Sequence, residues 1–472
     1  MRSLIKGCVV GVAAWVATAY AAPSTALACG GFFCNRAQPV NQAAEGIIFA
    51  DNGDGTVTAV IQIKYQGPSQ NFSWLLPISS VPKVDSDIGV ASDVAFQRLQ
   101  SATNPSYSLT TTIEGTCRQT NSGAGGFASA GGPMASLPTP GVTNDSSGVT
   151  VEASGVVGAF EWTVISLDKS TANPADVAVA WLKDNGYDVP SIGPDKLGPY
   201  LEAGMYLLAL KLTKGADTGS IRPIVLTYQG TQASIPVKLT AVAANDDMGV
   251  LTWVLGKSRS VPQNYLSLEL NEARINWFNA ASNYNSVVIE AANDASGQGF
   301  VTEFAGASST LKNAVWTQGD ESNWNYVKTN VYASFSALFN TVYSTYGAWD
   351  GFWDATRSAV TLPSGVAFED FKLCPSCYSA QIQFSPSTYM AALEKSVIAP
   401  VKLVQNLIDA HPALTRMYTT LSADEMTLDP LFTSTPICRT SAIGTRPIAS
   451  SNAARTWMSR ARRGASSCRK AG

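Results

Sequence analysis

The amino-acid sequence predicts an α+β fold, in which an antiparallel, β-rich, sandwich-like N-terminal and central region precedes a mainly helical C-terminal region. Two observations lead to this prediction. Short runs rich in valine, isoleucine, threonine and aromatic residues, separated by turn residues, recur as far as residue 255. After Asn323 the apolar residues recur at three- and four-residue spacing, which is typical of amphipathic helices.

The N-terminal elements are predicted from strand-forming composition and from one turn. Strands are expected at 46–50, 56–65 and 72–78, and residues 51–55 (Asp-Asn-Gly-Asp-Gly) can adopt the positive φ angles of a hairpin turn. A short helix is expected to end near residues 96–99. The glycine- and proline-rich stretch at 121–147 cannot bury enough surface to pack, so we expect a loop there.

Further strands and helices are predicted along the rest of the chain. Residues 148–164 alternate like strands, and a helix is expected near 174–185, with Asn173 as N-cap, Pro174 in the first turn and Gly186 at the C-terminal end. The next predicted strands are 205–212, 223–228, 235–242, 251–255 and 266–277. Amphipathic helices are predicted within 324–346 and 389–407.

At 472 residues the chain is long enough for two or three modules. The expected organisation is a signal peptide (1–28), a β-rich module with an N-terminal cysteine pair (29–120), the loop (121–147), a second β-rich module (148–322), a mainly helical region (323–432) and a basic, disordered tail (433–472).

The N-terminus predicts export to the periplasm, the outer envelope or the extracellular space. Basic Arg2 and Lys6 precede an apolar stretch at 8–22, and Ala26-Leu27-Ala28 forms a small-x-small cleavage site. The mature chain would then begin at Cys29, where a lipid anchor is the alternative fate. No later stretch reaches the roughly 20 apolar residues that a spanning helix requires, so we expect no transmembrane helix in the mature chain.

In an oxidising compartment, disulfides are the expected state of the cysteines. The candidate pairs are Cys29 with Cys34 and Cys374 with Cys377, while the pairing of Cys117 stays open. The two glycines after Cys29 permit a tight reversal, and a bridge to Cys34 would exclude acylation. The Cys-Pro-Ser-Cys sequence at 374–377 also leaves a redox couple, a metal site or inert thiols as alternatives.

Few residues suggest catalysis, and we predict no catalytic residue, cofactor or metal site. The single histidine, His411, precedes Pro412, and no nucleophile elbow, phosphate-binding loop or zinc-protease motif occurs. The net charge of -3 argues against a nucleic-acid partner. Residues 51–55 and the pair Asp85 and Asp87 leave a calcium loop or paired carboxylates as alternatives, although a hairpin turn explains the first stretch.

Several stretches resemble a bacterial family known as domain of unknown function 2330, which is common in exported proteins of myxobacteria. They are the Cys-Gly-Gly-Phe-Phe-Cys start and the stretches at 72–77 (Phe-Ser-Trp-Leu-Leu-Pro), 181–187, 221–224 and 424–430 (Asp-Glu-Met-Thr-Leu-Asp-Pro). Together they span nearly the whole mature chain. The resemblance implies an exported β-rich domain and carries no catalytic residue with it.

The sequence departs from that pattern after Phe432. From Thr433 onward the chain is basic and contains no acidic residue. Read one frame over, the codons expected for 433–445 give a peptide that resembles the family's usual continuation. Our hypothesis is that a single-base deletion near Thr433 shifted the reading frame. Cys438 and Cys468 would then be products of the shifted frame, and any C-terminal anchor would be lost. Resequencing the locus tests this hypothesis.

These observations favour a non-enzymatic exported module with a structural or ligand-binding role. The alternative is a thiol-disulfide oxidoreductase that uses Cys374 and Cys377. A carbohydrate-active enzyme with paired carboxylates is a third, less favoured class.

Overall fold

The computed structural model describes residues 44–62, 72–84, 86–107, 148–168, 170–187, 193–213, 221–242 and 244–435. The predicted signal peptide (1–28), Cys29, Cys34, Cys117, the predicted loop at 121–147 and the residues after 435 lie outside the described residues. The strands are β1 (Ala44–Asp51), β2 (Thr56–Gln62), β3 (Ser73–Ile78), β4 (Ile88–Val90), β5 (Val149–Val157), β6 (Phe160–Leu167), β7 (Tyr206–Leu212), β8 (Ile224–Gln229), β9 (Ala233–Ser234), β10 (Met248–Gly256), β11 (Ser260–Pro262), β12 (Leu266–Leu268), β13 (Gly299–Ala307), β14 (Val360–Thr361), β15 (Gln383–Phe384), β16 (Ala413–Leu421) and β17 (Leu431–Ser434).

Most helices follow β13, as the change in apolar spacing predicts. The α-helices are α1 (Asp93–Thr103), α2 (Pro174–Asp184), α3 (Gly193–Glu202), α4 (Val237–Thr240), α5 (Tyr284–Asp294), α6 (Gln318–Thr329), α7 (Phe335–Tyr346), α8 (Phe352–Ala359), α9 (Phe368–Leu373), α10 (Pro375–Tyr378), α11 (Pro386–Leu393) and α12 (Ala399–Ala410). The α+β class with a helical C-terminal region is therefore confirmed.

Two sheets organise the β-rich region. Among the described residues, the larger has eight strands in the order β12-β13-β16-β10-β1-β2-β8-β4, and the smaller has four in the order β3-β7-β6-β5. All neighbouring strands of the smaller sheet are antiparallel. In the larger sheet, β1 pairs with β10 and β12 pairs with β13 in parallel. Parallel neighbours need a long crossover connection, and the many residues between β1 and β10 provide one.

The two sheets pack face to face, as the sandwich-like prediction requires. Ile47 and Phe49 of β1 share one buried cluster with Trp74, Trp162 and other residues of the smaller sheet. Because successive side chains of a strand point to opposite faces, Ile48 lies on the other side of β1 and packs against the C-terminal helices. The outer face of the smaller sheet is covered by α2 and α3. The fold thus has four layers: helix, sheet, sheet and helix.

Local signals set the ends of the C-terminal helices. Thr317 accepts a hydrogen bond from the backbone N–H of Asp320, and the Asp320 carboxylate accepts one in return from the N–H of Thr317, which forms a capping box before α6. The Ser334 hydroxyl accepts from the N–H of Ala337 and begins α7. The helices predicted within 324–346 and 389–407 are confirmed, and α11 joins α12 through a π-helical turn.

Three local predictions are wrong or only partly right. Residues 235–242 do not form a strand but contain the short helix α4. The first N–H groups of a helix have no partner within the helix, and here the Asp429 carboxylate accepts a hydrogen bond from one of them, the N–H of Lys238. Asn173 precedes α2 in a left-handed conformation and its side chain makes no capping hydrogen bond. Of residues 266–277, only Leu266–Leu268 is a strand.

The larger sheet draws strands from all three predicted modules, since β2, β10 and β16 all belong to it. The module boundaries themselves stay a prediction. The predicted tail boundary at residue 433 falls inside β17, which pairs with β11 and β9.

A buried ion pair joins the larger sheet to the helical layer. Arg222, just before β8, lies 3.0 Å through Nε from the carboxylate of Asp350, and its Nη2 donates to the carbonyl of Ala91. Asp350 also accepts a hydrogen bond from the hydroxyl of Ser92, at the start of α1. Gly351 follows with φ of 80°, where an added Cβ would meet the Arg222 guanidinium. We call these residues the Arg222 clamp.

Candidate functional site

A cavity of about 340 Å³ lies between the two sheets, beside the ends of β3 and β8. Volumes of about 300–1,000 Å³ are typical of small-molecule sites. Its walls come from both sheets, from the segment between β8 and α4, and from the stretch before β17. The lining residues are Ile47, Phe49, Ala59, Ile61, Leu76, Pro77, Ile78, Ser79, Tyr200, Met205, Leu226, Tyr228, Gln229, Gly230, Thr231, Gln232, Ser234, Pro236, Asp429 and Leu431. We call it the intersheet cavity.

The walls of the intersheet cavity are mostly apolar. Phe49, Ala59 and Leu226 are buried side chains of the larger sheet, and Leu76 and Ile78 are buried side chains of the smaller one. They line it because alternation along each strand turns these side chains toward the opposite sheet. An apolar ligand would find close contact here, and each Å² of apolar surface that it removes from water contributes about 25 cal/mol.

A hydrogen-bonded pair of polar side chains, Tyr200 and Asp429, lies among these apolar residues. The Tyr200 hydroxyl donates to Asp429 Oδ2 at 2.8 Å, and the backbone N–H of Lys238 donates to Asp429 Oδ1 at 3.1 Å. Burial raises the pKa of the Asp429 carboxyl above its ordinary value, although these two hydrogen bonds act in the opposite direction. Burial and the neighbouring Asp429 also raise the pKa of Tyr200.

The rim of the intersheet cavity is polar and exposed. Gln229, Thr231 and Gln232 lie there, and the Gln232 amide donates to the Gln263 amide oxygen at 2.7 Å. Gln263 does not line the cavity. The cavity therefore combines an apolar interior with a neutral hydrogen-bonding entrance.

The candidate disulfide residues that the structure describes lie away from this cavity. Cys374 and Cys377 are at disulfide distance, with an S–S separation of 2.00 Å, at the junction of α9 and α10. Cys377 is exposed and Cys374 half-buried. α10 has only four residues and follows another helix instead of a strand, unlike the βαβ setting of thioredoxin-like redox motifs.

Other sequence-predicted candidates have local partners. Both ring nitrogens of His411 contact backbone carbonyls, those of Leu407 at 2.7 Å and Asp51 at 3.0 Å. Asp51 and Asp54 accept hydrogen bonds from backbone N–H groups of their own turn, as expected for a hairpin. Asp87 likewise accepts from the N–H of Lys83, whereas Asp85 lies outside the described residues.

Sequence reasoning singled out neither Tyr200 nor Asp429 as a site residue. The available signal was that two of the resembling stretches, 72–77 and 424–430, supply Leu76, Pro77 and Asp429 to one cavity. Within the part of the chain that the structure describes, no group of three or more histidine, cysteine or acidic residues could hold a metal ion. Nor do the described residues include a helix of the length and apolarity needed to cross a bilayer.

The family resemblance is tested by comparison with known proteins. The model of domain of unknown function 2330, described as an uncharacterized protein conserved in bacteria, matches residues 23–315, more than half of the chain. The chain belongs to this family. The match ends before the 424–430 stretch, so the intersheet cavity of this family member is built partly outside the matched region. No curated protein and no solved structure matches the chain.

Proposed function

We propose that this protein is an exported, non-enzymatic module that binds a small, neutral, apolar molecule in the intersheet cavity. The observation that carries the proposal is the cavity itself, about 340 Å³ of mostly apolar space whose wall contains the hydrogen-bonded pair Tyr200 and Asp429. An apolar interior with a few placed polar groups is typical of ligand pockets.

The charge of the ligand follows from Asp429. An anionic head group beside this half-buried carboxyl would meet a like charge in a poorly solvated place, which disfavours fatty acids and other anions. A neutral ligand avoids that repulsion and can accept a hydrogen bond from one of the rim amides.

Two features support export. The first 28 residues have the basic, apolar and small-residue order of a signal peptide. Cys374 and Cys377 lie at disulfide distance, as expected in an oxidising compartment. Fractionation of the host cells followed by mass spectrometry of the N-terminal peptide tests this directly. Exported protein that begins at Cys29 agrees with the proposal, and protein found in the cytoplasm with Met1 still present contradicts it.

The ligand proposal is tested with two probes of one aromatic skeleton. N-phenyl-1-naphthylamine is neutral, and 8-anilinonaphthalene-1-sulfonate carries an added anionic group. We expect the purified protein to enhance the fluorescence of the neutral probe and to bind it at least tenfold more tightly than the sulfonate. Equal affinity for the two probes, or no binding of the neutral one, would overturn the proposal.

Variants locate the binding. Ala59→Leu places added carbon atoms in the intersheet cavity and should weaken neutral-probe binding about fivefold or more. Gln232→Trp narrows the entrance at an exposed position, whereas Gln263→Trp removes the same side-chain hydrogen bond from outside the cavity. Weaker binding in the first two variants with unchanged binding in Gln263→Trp supports the site; loss in all three, or in none, contradicts it.

A thiol-disulfide oxidoreductase remains the second candidate, because Cys377 is exposed. Such an enzyme would reduce insulin in the presence of dithiothreitol, and Cys377→Ser would abolish that activity. If the bridge is structural, we expect no insulin reduction above the uncatalysed rate, and thiols should appear only slowly when the native protein is treated with a reductant.

A further inference from the structure

A second cavity, of about 480 Å³, lies on the other face of the larger sheet, between α1 and α5. Gln100 and Asn104 line it from α1 and the residue that follows, and Tyr284 and Asn285 line it from the start of α5. Its floor includes Arg416 of β16. We call it the Arg416 cavity. It shares no lining residue with the intersheet cavity.

The charges in the Arg416 cavity neutralise one another. Arg416 Nε lies 2.6 Å from a carboxylate oxygen of Glu303, and these side chains are only 5% and 2% exposed. The Tyr284 hydroxyl donates to the other Glu303 oxygen at 2.7 Å. Arg416 Nη1 donates to the Gln100 carbonyl and to Asn104 Oδ1. An ionic ligand would therefore lose its hydration here without gaining an unpaired counter-charge.

Neutral hydrogen-bonding groups remain available on the cavity walls. Within the described part of the chain, the side-chain amide of Gln100 and the amide nitrogens of Asn104 and Asn285 make no hydrogen bond to protein. Each amide nitrogen offers two donors, and the Gln100 oxygen offers an acceptor. These groups fit a ligand that carries several hydroxyls.

Aromatic rings form the remaining wall. The Tyr107 ring lies 5.4 Å from that of Trp277 and 5.5 Å from that of Tyr284, measured between centroids. The Tyr107 hydroxyl is a neutral donor at physiological pH, as tyrosine ordinarily is, and burial raises its pKa further, to about 12. Tyr107 and Tyr284 both line the cavity, where their rings can cover the C–H face of a saturated ring.

The backbone at the edge of this cavity is also unusual. Ala280 and Ala281 line it, with φ of 43° and 57°, a left-handed conformation that non-glycine residues rarely adopt. Residues held in such strained conformations cluster at functional sites, where the surrounding structure enforces them, although four other non-glycine residues of the described chain adopt positive φ outside this cavity.

We propose that the Arg416 cavity binds a small neutral carbohydrate, a mono- or disaccharide. Its ring packs against the Tyr107 and Tyr284 rings, and its hydroxyls bond to the side-chain amides of Gln100, Asn104 and Asn285. The neutralised Arg416–Glu303 pair selects against charged sugars. This site is independent of the apolar ligand proposed above.

The proposal is tested by saturation-transfer NMR and calorimetry on the mature, full-length protein. The neutral probes are glucose, galactose, mannose, N-acetylglucosamine, maltose and cellobiose, and the charged probes are glucuronate and glucosamine. We expect at least one neutral sugar to bind at millimolar concentration or below, at least tenfold more tightly than either charged sugar. No binding by any neutral probe, or equal binding of the charged ones, would overturn the proposal.

Matched variants on α1 place the sugar. Gln100→Ala removes an exposed amide from the Arg416 cavity and leaves intact the backbone carbonyl that Arg416 contacts. Gln97→Ala removes the same amide from the same helix outside this cavity. We expect the dissociation constant for the sugar to rise at least threefold in Gln100→Ala and at least tenfold in Tyr107→Ala, and to stay unchanged in Gln97→Ala. Equal effects of the two glutamine variants contradict the site, whereas Ala59→Leu should bind the sugar as the wild type does.

Discussion

Asp350→Ala should be among the most destabilising single substitutions outside the apolar core. It removes the carboxylate that, among the described residues, pairs with Arg222, whose side chain is 4% exposed, while Asp350 itself is 12% exposed. Removing one partner of a buried ion pair costs about 3–5 kcal/mol, because the other charge stays buried without compensation. The Ser92 hydroxyl also loses its acceptor, whereas the Arg222 bond to the Ala91 carbonyl survives. We expect a loss of about 4 kcal/mol.

Urea unfolding at pH 7.5, followed by circular dichroism, measures this free energy of unfolding. The matched control is Glu290→Ala, which breaks the Arg274–Glu290 pair at 2.5 Å, whose side chains are 56% and 46% exposed. Exposed pairs contribute about 0–1 kcal/mol. A cost for Asp350→Ala no larger than that of Glu290→Ala would refute the reasoning, since burial is the difference on which the estimate rests.

Three further predictions concern burial and backbone conformation. Asp429→Asn removes a carboxyl whose pKa is raised by burial above its ordinary value of 3.8. Because protonation of this carboxyl favours the folded state, the free energy of unfolding of the wild type, relative to that of the variant, should fall as pH rises from 4 to 7. A difference in urea titrations that stays constant with pH would contradict this. Gly351→Ala, at φ of 80° and with its Cβ against the Ser396 carbonyl, should cost more in thermal unfolding than Gly365→Ala, at φ of 82° with nothing within 4 Å; equal costs would argue against the clash. Trp324→Ala leaves a cavity at a fully buried position and should lower the free energy of unfolding, measured with urea, by about 3–5 kcal/mol. A decrease of less than about 1 kcal/mol would contradict this.

The sequence predicted those elements that local chemistry determines. The hairpin between β1 and β2 follows from glycines at 53 and 55, which adopt φ of 76° and 89°, and the C-terminal helices follow from apolar spacing and their caps. The strand predicted at 235–242 failed because alternating apolar residues also suit a single helical turn after Pro236, which Asp429 then caps from far along the chain.

The site itself could not be predicted in the same way. The intersheet cavity brings together Ala59, Leu76, Tyr200 and Asp429, which are distant in sequence, and none of them lies in a motif that indicates ligand binding. Their meeting depends on which strands pair, above all on the parallel neighbours β1 and β10, and sequence patterns carry little information about such long-range pairing.

The position of β16 has a consequence for when the protein can fold. Ala413–Leu421 lies between β13 and β10, so the larger sheet exists as two unconnected groups of strands until this late segment has left the ribosome. Native contacts that span so much of the chain form slowly, because a long loop must close before they are made. The larger sheet would thus reach its full width only near the end of synthesis, although β10, β1, β2, β8 and β4 can pair with one another earlier.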